Sequence, residues 1–232
     1  SISLFNKTVT EISGGEEINY LIGGIAGVFN TEGARLLLSP NLKEWERKPL
    51  KEDLSRMTGA QRVIIKNDTD MTGLGEAVFG AGRDHDIVAY LTFSTGIGGS
   101  LIVNKDIAPY NLGFEPGFQI INEDSMKTLH DISGPALKEK YDGKFFRDIT
   151  DEKTRKEIMR SAIVGIHNTI VFWSPEVIVL GGGMTETFDI DYIYKELEKI
   201  NLRFPDLPEI VFAQIEDVNG IYGALAYFKM QS

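Results

Sequence analysis

Between residues 61 and 99 the sequence alternates strand, helix and strand patterns, and this order indicates an α/β fold. Residues 61–66 and 87–93 are rich in β-branched and apolar side chains, whereas residues 69–80 show a helical pattern. Asn67 and Asp68 stand where the first strand meets the helix, and glycines follow the second strand at residues 95–99. A carboxylate at the end of one strand and a glycine turn at the end of the next indicate a base beside a phosphate-binding loop.

Both halves of this pattern also have a purely structural interpretation. Asp68 could be no more than a helix N-cap, a role worth about 1 kcal/mol. Residues 95–99 could form the tight turn of a hairpin between strands 87–93 and 100–103. Five residues are generous for such a turn, and a Thr hydroxyl with successive free N–H groups would make an anion-binding nest. The loop is neither a Walker loop nor a dinucleotide fingerprint, because the required Lys and helix do not follow it.

Two further segments have the composition of ligand-binding positions. Residues 175–183 read as a buried strand that ends in Gly181, Gly182 and Gly183, and such strand ends are where α/β folds bind ligands. Glu115 lies between Phe114 and Pro116, which predicts either a positioned carboxylate or an ordinary solvated one.

Strand and helix patterns continue through the rest of the chain, without a low-complexity linker. We expect the break between two lobes near residues 80–85. Further strands are predicted at residues 20–29, 33–39 and 209–213, and further helices at residues 2–12, 49–57, 133–141, 152–173, 191–200 and 218–229.

Composition excludes several classes of function. The chain has 232 residues, a formal net charge of −10 and no cysteine. This charge disfavours nucleic-acid binding, and the lack of cysteine excludes disulfides, thiolate zinc sites and a cysteine nucleophile. The histidines His85, His130 and His167 are isolated. No apolar run approaches the roughly 20 residues of a membrane span and no signal-peptide pattern is present, so a cytoplasmic protein is expected. Because the first residue is Ser1, we expect a chain trimmed from, or starting inside, a longer one.

Three motifs stand in an order that resembles one family. They are Asn-Asp at 67–68, Ser-Thr-Gly-Ile-Gly-Gly at 94–99 and Val-Ile-Val-Leu-Gly-Gly-Gly at 177–183. Further matches occur at residues 27–30, 39–42 with Trp45, 73–76, 79–82, 133–137 and 223–226. This set resembles the repressor, open-reading-frame and kinase (ROK) family of sugar kinases. The resemblance implies an α/β, two-lobed actin-like ATPase (ribonuclease H-like) fold whose first lobe is incomplete here. The implied division is a partial N-terminal lobe at 1–82, a C-terminal lobe at 83–217 and a C-terminal helix at 218–232 that packs back toward the first lobe.

The resemblance also implies an activity and its residues. Asp68 would be the general base in the ATP-dependent phosphorylation of a sugar, as in a glucokinase-like hexose kinase. The implied ligands are a sugar, ATP and Mg²⁺, without a metal site built by the protein, without zinc, and with a possible homodimer. The implied sugar contacts are Asn67, Glu115 and Gly27, and the implied nucleotide contacts are Thr95, Gly96, Gly98, Gly181, Gly182 and Gly183.

The chain departs from the family pattern at several points. The first phosphate hairpin, with its Asp-x-Gly-Gly-Thr loop, has no counterpart, and the cysteine-rich zinc motif is absent. Phe118 stands where many members have His, and Leu129 or His130 stands where a sugar-binding Glu is usual. The sugar therefore stays open. The alternative function is a non-catalytic sugar- or nucleotide-binding sensor or partner module derived from such a kinase.

Overall fold

A five-stranded mixed sheet is the largest sheet of the computed structural model, which describes residues 2–30, 35–39, 41–200, 204–215 and 218–231. The strands are β1 Tyr20–Ile25, β2 Val28–Phe29, β3 Leu36–Leu38, β4 Arg62–Asn67, β5 Ile87–Phe93, β6 Ile97–Val103, β7 Asp106–Ile107, β8 Ile120–Asn122, β9 Lys127–Thr128, β10 Val177–Gly181 and β11 Glu209–Phe212. The α-helices are α1 Ile2–Ser13, α2 Leu50–Thr58, α3 Asp68–Phe79, α4 Gly134–Lys140, α5 Glu152–Trp173, α6 Ile190–Lys199 and α7 Asn219–Gln231.

Strand order in the large sheet brings the ends of several strands to one edge. The order is β11-β10-β5-β6-β7, with β11, β10 and β5 parallel and with β6 antiparallel to β5. Gly181 at the end of β10 pairs with Thr92 near the end of β5. The segments that follow these two strands therefore leave the sheet side by side, at the edge where α/β folds bind ligands.

A separate pair of parallel strands, β1 and β4, carries the start of α3. Ile25 pairs with Asn67 at the end of both strands, and α3 begins at the next residue, Asp68. Strands β2 and β3 form a small antiparallel pair that follows β1 in the chain.

The core lies on both faces of the large sheet because alternate residues of β5 point to opposite faces. Ala89, Leu91 and Phe93 belong to the cluster shared with α5 and α6. Val88 and Tyr90 belong to the cluster shared with α3 and α7. A third cluster packs α2 under β3 and β4 through Leu36, Leu50, Leu54 and Ile65. Helix α3 thus packs directly against the sheet that carries the glycine turns.

Helix α7 packs along α3 and against β1. The rings of Tyr20 on β1 and Phe228 on α7 meet edge to face at 5.3 Å, and the ammonium group of Lys66 lies over the ring of Tyr227. These contacts join the end of the chain to elements of the predicted first lobe. The division at residues 82/83 and 217/218 itself stays a prediction.

Three element predictions need correction. The strand expected at 20–29 is interrupted because Gly27 adopts a φ of +149°, and a Cβ atom there would lie 2.3 Å from the carbonyl oxygen of Leu38. β6 starts at Ile97 and not at residue 100. The strand expected at 33–39 is seen as β3, Leu36–Leu38, while residues 33, 34 and 40 lie outside the described part of the chain.

None of the helices in the described ranges combines the length and the apolar character that crossing a membrane requires.

Candidate active site

Asp68 is the first residue of α3, and its neighbour Asn67 caps the helix. The side-chain oxygen of Asn67 accepts the N–H groups of Thr69 at 2.8 Å and Asp70 at 3.3 Å. The side-chain amide of Asn67 donates to the carbonyl oxygen of Gly27 at 3.0 Å. The capping role therefore belongs to Asn67, and the Asp68 side chain stays exposed, although it accepts the Thr69 N–H at 2.9 Å.

The pKa values of two carboxyl groups of the predicted site, those of Asp68 and Glu115, are raised. The protein around Asp68 partly desolvates its carboxylate and so raises its pKa, which the hydrogen bond from the Thr69 N–H partly offsets. Burial also raises the pKa of Glu115, and the negative charge of Asp68 raises it further. The fold therefore brings Glu115 within electrostatic reach of Asp68, although 47 residues separate the two in the chain.

Sequence reasoning missed a second aspartate beside Asp68. Asp70 is only 3% exposed, and its carboxylate accepts a hydrogen bond from the hydroxyl of Tyr110. Burial raises the pKa of Asp70 to about 6, with the Tyr110 hydrogen bond and the charge of Lys66 opposing the rise. Burial and the nearby Asp70 charge raise the pKa of Tyr110 as well. One signal was available: Asp70 shares a helical face with the buried Leu74 and Ala77, where a charge needs a partner.

The turn that carries Glu115 is fixed on its far side by side-chain hydrogen bonds. Residues Pro116–Phe118 form a short 3-10 turn directly after Glu115. Gln119 donates to the carbonyl oxygen of Pro116 at 2.8 Å and accepts from Asn168 of α5 at 2.6 Å. The glutamate therefore sits on an anchored turn, which supports the prediction of a positioned carboxylate over a freely solvated one.

The candidate phosphate loop is shorter than predicted. Gly98 is a strand residue of β6 that pairs with Thr92, so only residues 94–96 form the turn between β5 and β6. The interpretation of residues 95–99 as one loop with successive free N–H groups is therefore wrong. Thr95 and Gly96 remain in the turn, while Gly98 packs against the side chain of Thr69, where a Cβ atom would lie 2.9 Å from its hydroxyl oxygen. This packing places the hairpin beside the start of α3.

The second glycine turn leaves the sheet beside the first one. The N–H of Met184 donates to the carbonyl oxygen of Phe93, at the end of β5, at 3.1 Å. Gly182 has a φ of +89°, and a Cβ atom there would lie 2.5 Å from the same Phe93 oxygen, so this position requires glycine. Gly181 ends β10, and the space around the Cα of Gly183 is open. The structure thus brings together the turn residues that were predicted to contact the nucleotide.

An aromatic pair, one member of which is exposed, lies next to the first turn. The rings of Phe118 and His130 stack at 5.5 Å with an angle of 14° between their planes, and Phe118 is 63% exposed. The ring of His130 lies close to Gly96, at 3.9 Å from a Cβ atom placed there. Phe118, one departure from the family pattern, is therefore a neighbour in space of His130, one of the two residues considered for another departure.

Clusters of metal-ligating side chains were sought among the described residues. In the ranges that the structure describes, no group of three or more His, Asp or Glu residues is arranged to hold a metal ion.

Sequence comparisons identify the family. The sequence pattern of the ROK family matches residues 9–116. The glucokinase of Thermotoga maritima is 28% identical over 264 aligned residues, which cover 96% of this chain and 83% of that protein. The chain belongs to the ROK family. A second relative, the polyphosphate glucokinase of Mycobacterium tuberculosis, is 31% identical over 183 residues, which cover 78% of this chain and 60% of that protein.

The fold is that of ROK kinase structures. The crystal structure of a ROK family glucokinase from Streptomyces griseus in complex with glucose and AMPPNP superposes with a TM-score of 0.78 at 23% identity. The superposition covers 100% of this chain and 88% of the other one. It confirms the predicted α/β, actin-like ATPase fold of this ROK chain.

Proposed function

We propose that this ROK chain transfers the γ-phosphoryl group of ATP to a hydroxyl group of a sugar, with Asp68 as the general base. The observation that carries the proposal is the exposed carboxylate of Asp68 at the start of α3, beside the hairpin whose turn holds Thr95 and Gly96. A raised carboxyl pKa at such a place is typical of a residue that takes up a proton.

In the proposed reaction the sugar hydroxyl oxygen bonds to the γ-phosphorus while the bond to the bridging oxygen of ADP breaks. Asp68 takes the hydroxyl proton, and ADP leaves with the electron pair of the broken bond. Magnesium, when bound with the nucleotide, neutralises charge on the phosphates. Phosphoryl transfer depends mainly on positioning and charge stabilisation, so one carboxylate within reach is sufficient base chemistry.

Some of the remaining site residues are proposed to serve sugar binding and the others nucleotide binding. Asn67 and Glu115 flank Asp68 and are proposed to bind sugar hydroxyl groups, and Gly27 acts by holding the Asn67 amide. The nucleotide is proposed to lie along the sheet edge where the two glycine turns meet, with Thr95 and Gly96 on the phosphates. Gly98 supports this loop from β6, and Gly181, Gly182 and Gly183 are proposed to face the adenosine.

The test is ADP release with magnesium across a hexose panel. Glucose comes first because the Thermotoga relative is named a glucokinase and the Streptomyces structure holds glucose. Polyphosphate is the second donor because the Mycobacterium relative is named a polyphosphate glucokinase. This donor releases no ADP, so its reaction is followed by the sugar phosphate that forms. We expect Asp68→Asn to lower kcat by about 10²–10⁴-fold with sugar affinity retained. We also expect wild-type kcat/KM to fall as the pH drops through the raised pKa of Asp68. Turnover that survives Asp68→Asn would remove the base role.

One observation favours the second candidate, a sugar- or nucleotide-binding module without turnover. The exposed ring of Phe118 stacks on His130 and offers a sugar no hydrogen bond from that position. Calorimetry that detects sugar or nucleotide binding in a protein without measurable ADP release would support this candidate, and any turnover abolished by Asp68→Asn would eliminate it.

A further inference from the structure

We propose that Tyr110 and Asp70 are positioning residues: their hydrogen bond holds Glu115 at the start of α3 and thereby sets the affinity of the site for its sugar. The inference rests on the proposed function, because it takes Glu115 to be a sugar contact. It assigns a role to two residues that no motif marks.

The hydrogen bond joins the two parts of the site that carry carboxylates. Asp70 lies in the first turn of α3, two residues after Asp68. Tyr110 lies in the segment that follows β7, five residues before Glu115. The Tyr110 hydroxyl donates to the Asp70 carboxylate across 40 residues of sequence. The segment that holds Glu115 is thus tied directly to the helix that begins with Asp68.

Aromatic packing joins Tyr110 to Phe114, the residue before Glu115. The ring of Phe114 contacts the ring of Tyr110 edge to face at 5.6 Å and the ring of Trp173 on α5 at 5.0 Å. Because Phe114 directly precedes Glu115, this packing links the position of the Tyr110 ring to that of the glutamate. On the other side, the Gln119 hydrogen bonds anchor the turn to α5.

The hydrogen bond between Tyr110 and Asp70 opposes electrostatic repulsion between carboxylates. Asp70 is buried and faces the negative charges of Asp68 and Glu115, with the positive charge of Lys66 on β4 as compensation. Like charges repel, so the Glu115 segment is pushed away from α3. Tyr110 brings a neutral donor into this group and holds the segment in place, with a charge-assisted hydrogen bond as the link.

Two substitutions separate the hydrogen bond from the charge. Tyr110→Phe removes the hydroxyl and leaves the repulsion in place. Asp70→Asn keeps a side-chain oxygen that can accept from Tyr110 and removes one negative charge. A positioning role predicts that Tyr110→Phe weakens sugar binding more than Asp70→Asn, which leaves a neutral hydrogen bond in place. Tyr194→Phe is the matched control, because the Tyr194 hydroxyl bonds to Pro208 and Ile210 near α6, away from the site.

The measurement is sugar affinity by calorimetry on the full chain, with the hexose that gives the largest heat, together with KM and kcat. We expect Tyr110→Phe to raise Kd and KM by about tenfold, as for the loss of one charge-assisted hydrogen bond, with kcat changed by less than about threefold. Tyr194→Phe is expected to keep Kd within about threefold of the wild type. Asp70→Asn is expected to raise Kd less than Tyr110→Phe does, because a neutral hydrogen bond replaces the charge-assisted one.

A double-mutant cycle shows whether Tyr110 acts through Glu115. In a Glu115→Ala background, Tyr110→Phe is expected to change Kd by less than about twofold, because the group that it positions is gone. Equal effects of Tyr110→Phe in both backgrounds, or no effect in the wild-type background, overturn the inference. Should Tyr110→Phe fail to fold, Asp70→Ala replaces it, since it removes the acceptor and is expected to weaken binding to the same extent.

The outcomes separate this inference from the proposed function. Sugar binding with the expected cycle but without ADP release overturns the kinase proposal and leaves the positioning role standing. Turnover that depends on Asp68 but is insensitive to Tyr110→Phe overturns the positioning role alone. A wild-type chain that binds no hexose of the panel overturns both.

Discussion

The side-chain amide of Asn67 donates to the carbonyl oxygen of Gly27 at 3.0 Å, across 40 residues of sequence. The oxygen of the same side chain caps α3, so one residue fixes the start of the helix with one end and the β1–β2 connection with the other. The place of Asp68, the next residue, depends on both bonds.

Asn67→Asp keeps the cap and loses the bond to Gly27. A carboxylate caps a helix as well as an amide does, but it turns an oxygen toward the carbonyl oxygen of Gly27. We expect the free energy of unfolding to fall by about 1–2 kcal/mol, measured by urea denaturation. The added negative charge beside Asp68 is expected to move the acidic limb of the pH–rate profile to higher pH.

Asn122→Asp is the matched control for this change. Asn122 is exposed, and its side-chain oxygen accepts from Ser125, so a carboxylate can replace it without losing a donor. Equal stability losses at the two positions would show that the Gly27 bond does not hold the start of α3.

Patterns that are local in sequence were predictable. The bounds of α5, Glu152–Trp173, agree with the prediction because apolar side chains recur at helical spacing and Asp151 caps the first turn. The junction of β4 and α3 was also found, because the strand pattern gives way to a helical one at Asn67 and Asp68. Such signals depend on neighbours within a few residues.

The contacts that shape the site could not be predicted in the same way. The start of β6 depends on its pairing with β5, which extends to Phe93 and Ile97 and so takes in glycines that the sequence suggested for a loop. The hydrogen-bond partners Asp70 and Tyr110 are 40 residues apart, and the local sequence around either residue does not predict contact with the other. The roles of the individual site residues stay predictions that the experiments above address.

Gly182→Ala is expected to destabilise the protein. Its φ of +89° disfavours a side chain, and the new methyl group would lie 2.5 Å from the carbonyl oxygen of Phe93. We expect a loss of at least about 2 kcal/mol in the free energy of unfolding, measured by urea denaturation.

Gly183→Ala separates stability from nucleotide binding. No heavy atom lies within 4 Å of a Cβ atom at Gly183, so the free energy of unfolding is expected to change by less than about 0.5 kcal/mol. Its methyl group would occupy space that the proposed nucleotide needs, and we expect the Kd for an ATP analogue to rise at least about threefold. An unchanged Kd would remove Gly183 from the proposed nucleotide site.

Glu76 joins α3 to the connection between β11 and α7. Its carboxylate is fully buried and accepts the N–H groups of Ala81 at 3.0 Å, Gln214 at 3.0 Å and Ile215 at 2.9 Å. Glu76→Gln would turn an NH₂ group toward these donors, so we expect a loss of about 3 kcal/mol in the free energy of unfolding. Glu139→Gln, on the exposed side of α4, is the control and is expected to cost less than about 0.5 kcal/mol. Similar losses in the free energy of unfolding at the two positions would contradict the role of Glu76 in joining α3 to the connection between β11 and α7.

Asp70→Asn is expected to stabilise the protein more as the pH rises. Burial raises the pKa of Asp70 from its usual 3.8 to about 6, so the folded chain binds the proton more tightly than the unfolded chain. Stability therefore falls as the pH rises between these two values, and ionised Asp70 costs the folded state roughly 3 kcal/mol above them. Asparagine keeps an acceptor for Tyr110 and lacks this cost.

Urea denaturation of the wild type and Asp70→Asn at two pH values measures the difference. We expect the advantage of Asp70→Asn to grow by roughly 1.5 kcal/mol between about pH 5 and about pH 7.5, because half of the proton linkage develops in that range. Asp124→Asn, at an exposed turn, shows what the removal of one surface carboxylate does. An advantage that is the same at both pH values, or that shrinks as the pH rises, would mean that Asp70 is not held as a destabilised carboxylate beside Asp68 and Glu115.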